Sequence, residues 1–539
     1  MKKRSRFTLS SGMPRLFIAL VASVAAMGMS ASNPREAKLL VGIVVDGLES
    51  EYLDLLREHF GNGGFRKLED EGAIILADYG TPMDATAATA TLMTGASPSL
   101  NGIAADTRYD RDAMRPVEIY ADSEVLGNFS SAGYSPKALR VTTIADEARI
   151  SSGGTNQVYA IAATPGQAIG LAGHTANIAL WLDKKSGNWA SSTFYGDIPV
   201  AIATRNRTMP LATRLDTMSW TPTLAAGQYP ALPDHLQRYP FRYVFPRANT
   251  HRLEMFASSP MFNRELSKLA GELITTQKLG QHEGVTDVLN IAYTLQPYNY
   301  GKNTDTRPEL MDAYIKLDRN LAQLFASIEK GPGLANTVVM LAATPPRGQR
   351  RRDDERWSVP YGEFSTRKAI SLLNMYLMAV YGNGEYVSAY HNGHLFLNHR
   401  LLKERSLNAK DVRAEAASFL AKMTGVDRVH TYDNIIDGRA GENAEALRRS
   451  TVATTSGDLL VQVAPGFEII DDYNNITSNE GPSLVRACAT STAPVFIMGP
   501  GVTPRKTGIP VDVRAIAPTV TRILRIRSPN GASVAPLSL

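Results

Sequence analysis

The chain has 539 residues, 44% of them hydrophobic and 20% charged, which supplies a large core and excludes an intrinsically disordered chain. Its length exceeds an ordinary single domain and predicts either two domains or one large α/β core carrying insertions. The formal charge of +5 is accounted for by Lys2, Lys3, Arg4, Arg6 and Arg15, so the rest of the chain is close to neutral and no nucleic-acid partner is expected.

Those five residues open a leader with the order of a secretory signal: a basic start, an apolar run from Leu16 to Met27, then small residues up to Ser32. The run is shorter than the roughly 18 residues a membrane helix needs. Cleavage near Ser30 to Ser32 is expected, which gives a periplasmic or secreted protein with no transmembrane segment after cleavage. The other reading is an uncleaved N-terminal anchor. The single cysteine, Cys488, cannot form an intramolecular disulfide, and a core of this size needs none.

Leu39 to Val45 (LLVGIVV) is a continuous apolar, β-branched run of strand length, the pattern of a strand covered on both faces. Asp46 closes it, where open α/β sheets place their ligands. Ser50 is placed to cap a following helix with Tyr52, Leu55, Leu56 and Phe60 at helical spacing. Further strands are expected at Ala73–Ala77, Val158–Ala162, Ala179–Leu182, Val288–Leu295, Val338–Ala342, Leu459–Val463 and Val495–Met498. Helical patterns separate them, the clearest running from Pro308 to Lys330 with a stripe of Leu310, Tyr314, Leu317, Leu321, Leu324 and Ile328 suited to core packing. Thr306 and Glu309 have capping-box spacing ahead of it. This alternation predicts an α/β fold with a large, mostly parallel central sheet flanked by helices on both faces.

Two regions interrupt the alternation. Residues from about 186 to 246 are rich in Pro, Thr, Trp and Tyr with little helical period, and read as an inserted loop or cap. Residues from about 345 to 458 hold the charge run Arg350 to Arg356, a helix over Ser365–Tyr381, a strand around His394–Leu397 and a helix near Asp411–Met423, and read as a second, α+β insertion. The organisation expected is a signal peptide over 1–32 and one α/β domain over 38–539.

The segments VGIVVDGLESEYLDLLREHFGNGGFRKLEDEGA, NGIAADTRYDRD, GHTANIALWLDKKSGNWASSTFYG, WSVPYGEFSTRKAISLLNMYLMAVYG, SGDLLVQVAPGF and APVFIMGPG, in that order, resemble the alkaline phosphatase superfamily. The likeness is to the bacterial secreted alkaline phosphatases related to nucleotide pyrophosphatase/phosphodiesterases. It implies an alkaline-phosphatase-like fold and, in family members, two metal ions, usually zinc, around a threonine or serine nucleophile. Three Asp and three His ligands would be needed.

Carried over residue by residue, the resemblance places a metal-ligand position on Asp46, the only one retained. Ala85, in YGTPMDATAATATLMTG, stands where the nucleophile belongs, with Thr86 one residue beyond. The next ligand pair falls on Pro297 and Gly301, the adjacent Asp-His pair on Thr344-Pro345, and the last histidine on Ser483, in a stretch without histidine. Asp106 replaces an asparagine that helps bind the phosphoryl oxygens. The expectation is therefore a non-catalytic pseudo-phosphatase binding an unknown protein or a phosphorylated small molecule, with no cofactor. The alternative is a phosphomonoesterase or phosphodiesterase with an altered site using Asp46, Thr86 and Asp106, and with zinc as cofactor. A hydrolase of sulfate or phosphonate esters is a third reading.

A relocated site would draw on the nine histidines. His391, His394 and His399 lie close in sequence, but a strand from His394 would turn His394 and His399 to opposite faces. His174, in AGHTAN, could face the old site or bond to backbone. His59, His235, His251, His282 and His430 are isolated. Thr86, Thr89 and Thr91 lie near Asp84 without a histidine base close in sequence.

Overall fold

Leu39–Asp46 is buried at every position and forms the first strand, β1, as its unbroken apolar run requires. The computed structural model describes residues 36–229, 241–298, 300, 306–345, 362–464, 466–473, 483–486 and 491–539, with backbone alone over 483–486. Ala37–Leu539 forms one compact unit. In chain order the main elements after β1 are β2 (Ala73–Asp78), α1 (Ala85–Thr94), β3 (Val158–Ala162), α2 (Pro165–Ala172), β4 (Ile178–Leu182) and β5 (Trp189–Ser192). Then come α3 (Val200–Thr208), α4 (Pro260–Thr276), β6 (Asp287–Thr294), α5 (Arg307–Lys330), β7 (Thr337–Ala343) and α6 (Thr366–Tyr381). The last are β8 (Val387–His391), β9 (His394–Leu397), β10 (Val426–Thr431), α7 (Ala444–Ser450), β11 (Leu459–Val463) and β12 (Thr492–Met498).

An eleven-stranded sheet in the order β2-β12-β7-β1-β6-β3-β4-β5 carries short edge strands at Arg505–Lys506 and Val511–Asp512 beside β2 and at Gly127–Asn128 beside β5. The centre is parallel, while β12 runs antiparallel between β7 and β2, and β5 antiparallel to β4. β1 sits between β6 and β7 with Asp46 opposite Thr294 and Val45 opposite Ala343, so these strands end together on one edge. Two reversals leave β2 parallel to β7, which brings Asp78 to the same edge.

Helices cover both faces. Asn290 of β6 donates through Nδ2 to the Leu171 carbonyl of α2 at 2.8 Å, whereas Tyr293, three residues on, shares a 2.8 Å bond with Ser267 of α4. Residues an odd number apart point to opposite faces of a strand, so α2 and α4 lie on opposite sides. The stripe of α5 is buried throughout, from Leu310 to Ile328. A second core under α6 belongs to a small sheet in the order β8-β9-β11-β10.

Three local readings are corrected. Ser50 is the first residue of a helix over Ser50–Leu55 whose N-cap is Glu49, with no side-chain cap. Thr306 stands at the N-cap of α5 but makes no cap hydrogen bond, so the capping box is absent. Within 186–246, read as an inserted loop or cap with little helical period, lie β5 and the helix α3. The sequence of α3, VAIATRNRT, hides its period because its buried face carries Arg205 and Asn206. Arg205 is held by Glu265, at 2.9 Å, and by Glu272. Asn206 brackets Trp189 with a bond to its N–H at 3.0 Å and one to its carbonyl at 2.9 Å.

Candidate functional site

The carboxyl edge of β1, β6 and β7 gathers Asp46, Leu295-Gln296-Pro297 and Thr344-Pro345, because each strand continues past its last pairing. Leu295 N donates to the Asp46 carbonyl at 2.7 Å and Thr344 N to that of Val45 at 3.1 Å. Asp46 is buried, and its Oδ1 accepts from the Thr344 hydroxyl at 2.7 Å. Thr344 is fully buried. Gly47 adopts φ +80°, and a Cβ there would stand 2.8 Å from Gln296 Nε2, so glycine is required for both conformation and space. That buried amide nitrogen has no partner among the described residues.

At the head of α1, Asp84 is the N-cap. Its Oδ1 accepts from Ala87 N at 2.8 Å and its Oδ2 from Asp106 N at 2.7 Å, so one carboxylate fixes both the helix start and the segment after it. Ala85 is the first helical residue and is buried. Thr86 turns toward α2: a Cβ on Gly166 would meet its hydroxyl at 2.7 Å. Thr89 donates to the Ala85 carbonyl at 2.6 Å and Thr91 to Met83 Sδ at 3.8 Å, so these hydroxyls serve local packing. Asp106 is exposed, with Thr107 Oγ1 3.4 Å from its carboxylate. The structure thus brings Asp46 and Thr344 together and joins Asp84 to the backbone of Asp106, while Thr86 faces into helix packing.

The histidines are dispersed. His391 and His394 pair across the β8–β9 hairpin, whose turn residues Asn392 and Gly393 have φ of +50° and +79°. His391 shares a 3.0 Å bond with Thr107 Oγ1, and burial holds its pKa below the usual imidazole range. Burial also drives His394 down to about 4, with His391 adding a smaller push. The period-two argument for His399 is corrected: it begins a helix over His399–Glu404 and bonds to Asp458 at 2.8 Å.

His174 uses both ring nitrogens, Nδ1 on Asp146 at 3.0 Å and Nε2 on the Leu139 carbonyl at 2.9 Å. Both partners are acceptors, a pattern that the doubly protonated ring satisfies, and the hydrogen bond that His174 donates to Asp146 raises its pKa. His251 bonds to Glu254, His282 to Asp287 and His430 to Gln462. Gly301, His235, Cys488, the charge run Arg350 to Arg356 and the side chain of Ser483 lie outside the described residues.

Among the described residues, no group of three or more His, Cys, Asp or Glu side chains is placed to hold a metal ion. At the positions to which the resemblance assigns ligands stand Thr344, whose hydroxyl is bonded to Asp46, and Pro297 and Pro345, a set without the carboxylate and imidazole donors that two metals would need. Two residues of this region escaped the sequence reading. Asp84 carried a usable signal as an Asp immediately ahead of an Ala-rich helix. Gln296 carried none.

A large mixed, mostly parallel sheet flanked by helices on both faces is the architecture of the alkaline phosphatase superfamily. The profile of the type I phosphodiesterase / nucleotide pyrophosphatase family matches residues 40–483, and the chain belongs to that family. It is similar to a protein of Myroides odoratus named calcium-transporting ATPase, at 26% identity over 94% of this chain and 95% of that one. It is also similar to alkaline phosphatase PhoV of Synechococcus elongatus, at 27% identity over 92% and 91% of the two chains. The crystal structure of wild-type alkaline phosphatase PafA superposes with a TM-score of 0.80 at 24% identity, covering 93% of this chain and 98% of that one, which shows the fold.

Proposed function

We propose that this chain is an exported, non-catalytic member of the family whose conserved scaffold presents a binding surface to a protein or a phosphorylated small molecule. The observation that carries the reading is the 2.7 Å bond from Thr344 to Asp46. The one retained ligand carboxylate is occupied by a threonine hydroxyl standing where its partner ligand belongs. Ala85 at the head of α1 supports it, since methyl cannot attack phosphorus. The regions about 186–246 and about 345–458 are then insertions that shape the rim, and the basic leader directs export. No helix among the described residues is long and apolar enough to cross a membrane.

A second reading, an active metal-dependent phosphohydrolase using Asp46, Thr86 and Asp106, is favoured by the phosphatase names of the relatives. Purified mature protein incubated with zinc and assayed on nitrophenyl phosphate and bis-nitrophenyl phosphate, with metal analysis of the same sample, separates the two. No turnover and no stoichiometric zinc are expected. Turnover abolished by Asp46→Ala would overturn the proposal. Export is tested by cell fractionation, with the mature N-terminus expected near residue 33.

A further inference from the structure

Beside the turn after β2 lies a pocket of about 160 Å³ whose lining includes none of the positions that the resemblance assigns to the nucleophile or the metal ligands. One wall is the turn after β2, Asp78-Tyr79-Gly80; the facing wall is α7, with Ala446, Arg449 and Ser450; the floor includes Met83, Pro98 and Pro510. A Cβ built on Gly80 would stand 3.7 Å from that of Ala446, so the turn and the helix meet closely. Arg449, three residues beyond Ala446, lies on the same helix face. A site of about this volume holds a ligand on the scale of a benzene ring.

The charges decide what fits. Arg514 and Asp512 neutralise each other in a two-pronged pair, with Nε 3.0 Å from Oδ1 and Nη2 2.5 Å from Oδ2. Asp78 accepts from Gly80 N at 2.8 Å and from the Ser491 hydroxyl at 2.6 Å, and both bonds fall on Oδ1. They fix the carboxylate while leaving Oδ2 to a ligand. Arg449 donates through Nε to Glu445 at 3.0 Å and is 43% exposed, which leaves its two terminal nitrogens. A lone anion in this pocket would meet Asp78, and a lone cation would meet Arg449. A molecule carrying both signs meets each with its opposite.

We infer that this pocket binds a small zwitterion of the α-amino-acid class, its carboxylate on Arg449 and its ammonium on Asp78, with the side chain over Met83, Pro98 and Pro510. The assignment is independent of whether the cleft at Asp46 hydrolyses an ester. It also sits close to that cleft, because Tyr79 in the pocket wall donates to the Ala343 carbonyl at 2.8 Å, one residue before Thr344.

The test is calorimetric titration of the mature protein with the free amino acids and with N-acetyl and amide derivatives of those that bind. One or more free amino acids are expected to bind saturably, and each charge-blocked derivative is expected to bind about tenfold or more weakly, as loss of a single ion pair implies. Arg449→Gln, at a partly exposed site, is expected to weaken binding by a similar factor with unchanged melting temperature, and Ala446→Trp to abolish binding by filling the pocket. Either result overturns the inference: no saturable heat from any amino acid at about 10 mM, enough to fill a millimolar site, or binding unchanged in both variants.

Discussion

Asp146→Ala removes a buried carboxylate, in the first turn of a helix, on which six hydrogen bonds converge. Asp146 is buried, and its Oδ1 accepts from His174 N at 2.7 Å, Thr175 N at 2.9 Å and the Thr175 hydroxyl at 2.9 Å. Its Oδ2 accepts from Thr143 N at 2.9 Å, the Thr143 hydroxyl at 3.1 Å and His174 Nδ1 at 3.0 Å. The Thr143 contacts form the capping box of the helix over Ile144–Ser151. Truncation strands the buried Thr143 donors and leaves the part-exposed His174 ring without its counter-charge. Breaking such a buried set costs about 3–5 kcal/mol, against a total stability of about 5–15 kcal/mol.

The pair also sets a pH window. Burial alone would raise the Asp146 pKa, but the His174 bond and charge and the backbone donors bring it below the usual carboxylate range. Its contribution is present above the unfolded value and lost as pH falls through the lower folded one. His174 is raised, so its contribution is full below the unfolded imidazole value, about 6.5, and lost as pH rises through the higher folded one. Chemical denaturation from acid to mildly alkaline pH reads both. The wild type should lose stability just above the imidazole range, and the variant should lack that decline. A variant within about 1 kcal/mol of wild type, less than one stranded buried donor costs, or one retaining the alkaline decline, would refute the argument.

Gly42→Ala places a Cβ 2.2 Å from Asn290 Oδ1 between the two central strands, and must displace the bond from Asn290 to Leu171. A loss of about 2–4 kcal/mol is expected, with Asn290→Ala partly relieving it in the double variant. Thr344→Val keeps shape but removes the donor to Asp46, and should cost about 1–3 kcal/mol in denaturant titration while far-ultraviolet dichroism stays unchanged. The His394 ring resonances should titrate near pH 4, so the folded ring stays neutral through the ordinary imidazole range; its contribution to stability is full above the unfolded value, about 6.5, and is lost as pH falls from there toward the folded one; a midpoint near 6.5 would contradict its burial.

The central strands were legible because a strand covered on both faces must be apolar at every position, as Leu39–Val45 and Val338–Ala342 are. The helix α5 was legible for the same reason at period 3.6. Where polar side chains do the burying, pattern fails: α3 presents Arg205 and Asn206 inward, and their partners, Glu265, Glu272 and Trp189, are not its sequence neighbours. For the candidate site the resemblance supplied positions alone, namely Ala85, Pro297 and Thr344. The bond from Thr344 to Asp46 joins residues 298 positions apart and could not be read from them. His399 shows the remaining limit: period two carries the strand past Leu397 to His399, where Asn398 instead caps a helix by accepting from Leu401 N at 3.1 Å.

The cap of α1 has an implication for how such a protein drifts. Asp84 bonds to Ala87 and Asp106, so the bend that presents residue 85 is built entirely by its neighbours. Residue 85 is buried as the first helical residue, but its side chain takes no part in either cap bond, so a change of side chain there leaves both in place. At the strand ends the side chain is itself part of the fastening: Thr344 is fully buried and bonded to Asp46, so a change there breaks a contact, whereas a change at residue 85 breaks none of the cap bonds.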